Sequence, residues 1–122
     1  MIDLVSSWEA IRTIYFPRWD RKCKWRIRQV LPGAIGRGNG ECSRMECLIR
    51  MSEVSSDPDE LDSLIIHEIC HAVSNKDDHG NEWQAKMRVA ALRAQTLGRQ
   101  RLTGKLVEDI AQAEKDMQII FG

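Results

Sequence analysis

The sequence predicts an α+β fold: an N-terminal helix, a small antiparallel or mixed sheet, a buried central helix, a following helix and a C-terminal amphipathic helix. Three observations predict it. Apolar residues recur at helical spacing in four separate stretches, near 3–16, 58–74, 81–97 and 104–120. Two other stretches, 24–31 and about 41–51, alternate apolar with charged residues, as half-buried strands do. Between those two lies Pro32-Gly33, followed by Gly36, Gly38 and Gly40, the composition of a connection. With 122 residues the chain fits one domain, 1–122, with a core from about 5 to 97 and a helical extension from about 104 to 120.

Composition narrows the function classes. Lys+Arg and Asp+Glu number 18 each, a formal net charge of zero, which argues against a surface devoted to nucleic acid. No apolar run reaches the ~18 residues of a transmembrane helix, so no membrane partner is expected. Met1-Ile2-Asp3-Leu4 has neither a basic leader nor an apolar cleavage-type core, so a cytoplasmic location is expected. Cys23, Cys42, Cys47 and Cys70 form no C-x-x-C pair and read as free thiols.

The first helix, 3–16, rests on Leu4, Trp8, Ile11 and Tyr15, one stripe of core residues. Ser6 or Ser7 could cap a shorter version, and Pro17 ends it. Arg18 to Arg28 is dense in cations (Arg18, Arg21, Lys22, Lys24, Arg26, Arg28), with Trp19 and Trp25 interleaved. Such a segment can contact DNA through phosphates and stacked bases, or can be a solvated linker and strand face. Trp25, Ile27, Val30 and Leu31 give the first strand. The glycine-rich stretch lacks the Lys and Ser/Thr of a phosphate-binding loop and reads as a hairpin connection. In the second strand Cys42, Met45, Cys47, Ile49 and Met51 point inward, and a slip near 43–45 reads as a bulge.

Asp57-Pro58-Asp59-Glu60 is a strong helix start: an N-cap, proline at the first position and a capping-box glutamate. The helix that follows is apolar on most sides and should be buried. Asn75 to Asp78 turns the chain. A helix from 81 carries Trp83, Met87, Ala90, Ala91, Ala94 and Leu97, and Gly98 stops it. Arg93, Arg99, Arg101 and Lys105 form a second basic cluster and a second candidate DNA contact. Leu106, Ile110, Ala113, Met117 and Ile120 stripe the last helix.

The chemistry concentrates in His67-Glu68-Ile69-Cys70-His71, an H-E-x-x-H pattern, with His79 eight positions after His71. On a helix His67 and His71 share one face and can bind one ion. Zn2+ suits two helical histidines, a third ligand and an open position for water, and His79 is the third ligand expected. Glu82 is the rival for that place. Glu68 is the candidate catalytic residue, a base able to reach a water on the ion. Cys70 should face the core. A carboxylate should orient one histidine, with Asp62, Asp77 and Asp78 all open. Tyr15, Arg88 and Arg93 are guesses for stabilising an oxyanion. The strand near 42–51 could hold an extended protein or peptide substrate by strand addition.

His67-Glu68-Ile69-Cys70-His71-Ala72, then His79-Gly80-Asn81-Glu82-Trp83 and Met87, resembles the SprT-like (Spartan-type) zinc metallopeptidases. The resemblance covers roughly 5–97, and its specific part is 64–87. It implies a minimal zincin-like domain, with His67, His71 and His79 as zinc ligands and Glu68 as catalytic base. It also implies peptide-bond hydrolysis, with DNA-associated proteins as one substrate class. The chain departs from the pattern in two ways: its cysteines supply no C-terminal zinc ribbon, and the loop between His71 and His79 is short. Metzincins fit less well, since the expected glycine and third histidine fall on Ser74 and Asp77. Three alternatives stand beside the general peptidase: a zinc-containing nucleic-acid- or protein-binding module, a hydrolase of another amide, and a self-processing or regulatory protease with one protein target.

Overall fold

The computed structural model describes residues 3–35 and 40–121, with side chains through residue 117. In chain order the elements are α1 (Leu4–Tyr15), β1 (Arg26–Gln29), a 3-10 turn (Pro32–Ala34), β2 (Gly40–Ser43), β3 (Leu48–Met51), α2 (Pro58–Ser74), α3 (Asn81–Thr96) and α4 (Gln100–Phe121). Among the described residues four α-helices and a three-stranded mixed sheet make the expected α+β fold. Met1, Ile2, Gly36, Gly38 and the side chain of Ile120, all used in the sequence reading, lie outside the described residues.

Helix α1 is capped by Asp3 rather than Ser6 or Ser7. The Asp3 carboxylate accepts from the Val5 N–H at 3.1 Å and from the Ser6 hydroxyl at 2.7 Å. Trp8, Ile11 and Tyr15 bury its inner face. The chain then folds sharply around Asp20, which takes a positive φ of 52°. Its carboxylate accepts from the Lys24 and Trp25 N–H groups, both at 2.9 Å. Trp19 and Trp25 turn inward, with ring centroids 5.6 Å apart, and Trp19 meets Trp8 edge-on at 5.9 Å. The tryptophans of the basic segment therefore pack against the core rather than standing out among the cations.

The sheet differs from the expected hairpin. Strand order is β1-β3-β2, with β1 parallel to β3 and β2 antiparallel to β3. The single strand expected over 41–51 is two strands joined by a turn at 44–47. The slip in alternation near 43–45 marks that turn and not a bulge: Met45 at its tip is 98% exposed, and Cys47 takes a φ of 51°. The glycine-rich stretch accordingly leads from β1 to the far edge of the sheet. Leu48, Ile49 and Met51 of the central strand are buried beneath the helices.

Helix α2 begins as read. Asp57 caps it by accepting from the Asp59 N–H at 3.0 Å, while Glu60 accepts from the Ser55 hydroxyl instead of closing a capping box. It is the central element, with Leu61, Ile65, Ile66, Ile69 and Cys70 fully buried. Asn75 ends it in the left-handed conformation at φ 57°. Helix α3 stops at Gly98, whose φ of 75° suits glycine. Helix α4 starts at Gln100, ahead of the expected 104. Gly104 disguises that first turn; a glycine inside a helix costs about 1 kcal/mol. Burial of Leu102 offsets it, since a fully buried leucine contributes roughly 2 kcal/mol. Leu102, Leu106, Ile110 and Ala113 join the same core as α1, α2 and α3. Among the described residues no helix is long and apolar enough to cross a membrane.

Candidate metal centre

Two features of the chain bring the three histidines together. His67 and His71 lie one turn apart on α2, with ring centroids 5.0 Å apart. The left-handed Asn75 then reverses the chain, and Arg44 from the β2–β3 turn holds the outgoing loop. Arg44 donates to Asp77 Oδ1 at 2.7 Å and to the His71 carbonyl at 2.9 Å. Gln84 Nε2 donates to the His79 carbonyl at 2.8 Å, fixing the start of α3. Trp83 forms the floor: it is fully buried, donates from Nε1 to the His67 carbonyl at 3.2 Å, and lies within 4.4–5.7 Å of all three imidazoles by ring centroid.

The result is three converging nitrogens. His79 Nε2 lies 3.2 Å from His67 Nε2 and 3.1 Å from His71 Nε2. Tetrahedral zinc bonded to imidazole nitrogens at about 2.0–2.1 Å would set them roughly 3.3 Å apart. The donor chemistry agrees. His67 Nδ1 lies 2.7 Å from Asp109 Oδ2, and His71 Nδ1 lies 3.0 Å from the Lys76 carbonyl oxygen. Both partners only accept, so each Nδ1 carries a proton, and Nε2 is the atom that each ring presents to the common centre as a metal ligand. His67, His71 and His79 thus form a group that could hold a metal ion.

Burial disfavours charge on these rings. It pushes His71 down to about 4, helped by the charge of His67, and lowers His79 for the same two reasons. At His67 burial also opposes the charged form. There the hydrogen bond and charge of Asp109, with the charge of Glu68, more than offset it and raise the pKa.

Glu68 sits beside the triad, with Oε2 3.9 Å from His67 Nε2. Burial pushes its pKa up to about 7, against a partial pull downward from His67. Strand β2 passes closely: a Cβ added at Gly40 would lie 3.0 Å from Glu68 Oε2. The three histidines and Glu68 open onto a cleft of about 1020 Å³. Gly40, Glu41 and Cys42 of β2 line one side, and Lys105, Glu108 and Asp109 of α4 line another.

The remaining sequence candidates fall elsewhere. Glu82 is exposed and is not part of the histidine group; Cys70 is buried in the core, as expected. None of the three acids considered for orienting a histidine does so. Asp62 pairs with Arg99 at 2.7 Å, Asp77 with Arg44, and Asp78 accepts from the Gly80 N–H at 3.1 Å. Tyr15 is buried in the core, Arg88 pairs with Glu114 and Arg93 is exposed at the end of α3; none of them lines the cleft. In the second basic cluster Arg99 also binds Asp59 at 2.9 Å, and Arg101 binds Asp57 at 2.7 Å. Asp109 is not among the acids that the sequence singles out. Its one local signal is a place on the polar side of an amphipathic helix.

A family model described as the SprT-like family matches residues 7–103. No curated protein and no solved structure matches the chain.

Proposed function

The chain belongs to the SprT-like family, and from that premise we propose that it is a zinc metalloendopeptidase. The carrying observation is the position of Glu68, a buried carboxylate 3.9 Å from His67 Nε2, at the open cleft beside a convergent histidine triad. His67, His71 and His79 would hold Zn2+, which supplies Lewis acidity, acidifying a water and polarising the scissile carbonyl. Glu68 accepts the proton of the attacking water on its carboxylate and passes it to the leaving amine. Without the ion, burial pushes the Glu68 pKa up to about 7; a bound cation would lower it and favour the carboxylate that accepts the proton. Strand β2 is an edge of the sheet and lines the cleft, so its backbone offers an extended peptide a register beside the site.

The test compares the parent with Glu68→Gln for bound zinc and for cleavage of an unfolded protein. We expect one zinc per chain in both and cleavage by the parent alone. Equal cleavage by both would remove Glu68 from the reaction, and a parent without stoichiometric zinc would end the reading.

Nucleic-acid contact is a second property of this reading, favoured by one observation. Arg18, Arg21, Lys22, Lys24, Arg26 and Arg28 make no ion pair within 4 Å among the described residues, whereas Arg99 and Arg101 are tied to α2. Single-stranded DNA should bind the parent with steep salt dependence. Binding unchanged after Arg26 and Arg28 are replaced by Gln would discard the proposed surface.

A further inference from the structure

We infer that Asp109 is a positioning residue of the metal centre: from helix α4 its carboxylate fixes the His67 imidazole with Nδ1 protonated and Nε2 turned to the ion. This rests on the metal-site reading above and adds to it an element that the family match, ending at residue 103, does not reach.

The geometry is specific. Asp109 Oδ2 lies 2.7 Å from His67 Nδ1 across 42 residues of chain, the distance of a charge-assisted hydrogen bond. Among the described residues Asp109 forms no ion pair with a lysine or arginine, so the imidazole is its close partner. The register of α4 produces this contact. Leu102, Leu106, Ile110 and Ala113 anchor one face in the core, and Lys105, Glu108 and Asp109 are thereby turned to the cleft. A metal-binding imidazole uses such a partner to select its tautomer and hold its plane.

The other helical histidine does not depend on a side chain in this way. His71 Nδ1 meets the Lys76 backbone carbonyl, which any residue at 76 would supply. His67 depends on the identity of residue 109. Asp109 is thus the one of the two outer partners that substitution can remove.

The experiment measures Zn2+ affinity by competition with a chelator. The proteins are the parent, Asp109→Ala, Asp109→Asn and the solvent-facing control Lys115→Ala. The same set is loaded with Co2+ and its visible absorption recorded. We expect Asp109→Ala to weaken zinc binding by about 10–100-fold and to alter the Co2+ spectrum. Asp109→Asn, whose amide oxygen still accepts from Nδ1, should recover most of the affinity, and Lys115→Ala should match the parent. In peptidase assays at saturating zinc, kcat should fall for Asp109→Ala with KM little changed. Parent-like affinity and spectrum in both Asp109 variants would overturn this inference and leave the metal site standing. Loss of metal-free stability with zinc affinity unchanged would do the same, since that is a purely structural role. Absence of stoichiometric zinc in the parent would overturn the metal-site reading and this inference together.

Discussion

Glu68 shows how one buried group ties stability to chemistry. Burial raises its pKa from 4.5 to about 7. Between those values the folded chain binds more protons than the unfolded one, so stability falls as pH rises. The favourable contribution is complete below pH 4.5 and is lost on passing through pH 7. Metal-free Glu68→Gln should therefore be more stable than the metal-free parent at pH 8, by roughly 3 kcal/mol in urea unfolding. That advantage should vanish below pH 4.5. His71 works in the opposite direction: burial lowers its pKa from 6.5 to about 4, so its contribution is complete above pH 6.5 and is lost as pH falls through 4. On the zinc peptidase reading proposed above, a cation held by the three histidines would pull the Glu68 pKa back down. The acid limb of the pH–kcat/KM profile should then lie below pH 7, and Glu68→Gln should leave no profile to measure.

Two contacts between elements carry separable expectations. Strand β2 approaches α2 closely at Gly40, where an added Cβ would meet Glu68 Oε2 at 3.0 Å and its Cγ and Cδ at 3.3 Å. Gly40→Ala should push the Glu68 carboxylate aside while leaving the histidines in place. We expect zinc content unchanged and kcat reduced by up to about 100-fold, the order of effect of a misplaced catalytic group. The second contact joins the start of α4 to the start of α2. Arg99 binds Asp62 at 2.7 Å and Asp59 at 2.9 Å. Arg99→Ala would strand the buried Asp62 carboxylate and should cost about 2 kcal/mol in thermal or urea unfolding. Arg101 is 68% exposed on its side chain, so Arg101→Ala should cost less than about 0.5 kcal/mol. Equal effects of the two substitutions would contradict this assignment.

For the molecule as a whole, helix α4 contributes Leu102, Leu106, Ile110 and Ala113 to the core shared with α1, α2 and α3. We expect one cooperative unfolding transition over the whole chain. Leu106→Ala, at a fully buried position, should lower its free energy by about 3 kcal/mol. Zinc at 100 times its Kd should raise the free energy of unfolding by about 2.7 kcal/mol. Two separate transitions, with α4 melting first, would show that α4 is dispensable to the core.

The four helices and the grouping of His67, His71 and His79 are legible in the sequence. Each of these is local: a helical period, a cap at Asp57, an i to i+4 pair and a short reversal after Asn75. Tertiary structure alone decided the pairing of β1 with β3, the partner of Arg99 and the carboxylate on His67. Strand order is not encoded in alternation, so 41–51 reads as one strand until the fold places a turn at 44–47. Asp109 is one of 18 acidic residues and lies 42 positions from His67. No period links them. Only the packing of α4, set by its leucines, brings that carboxylate to the ring.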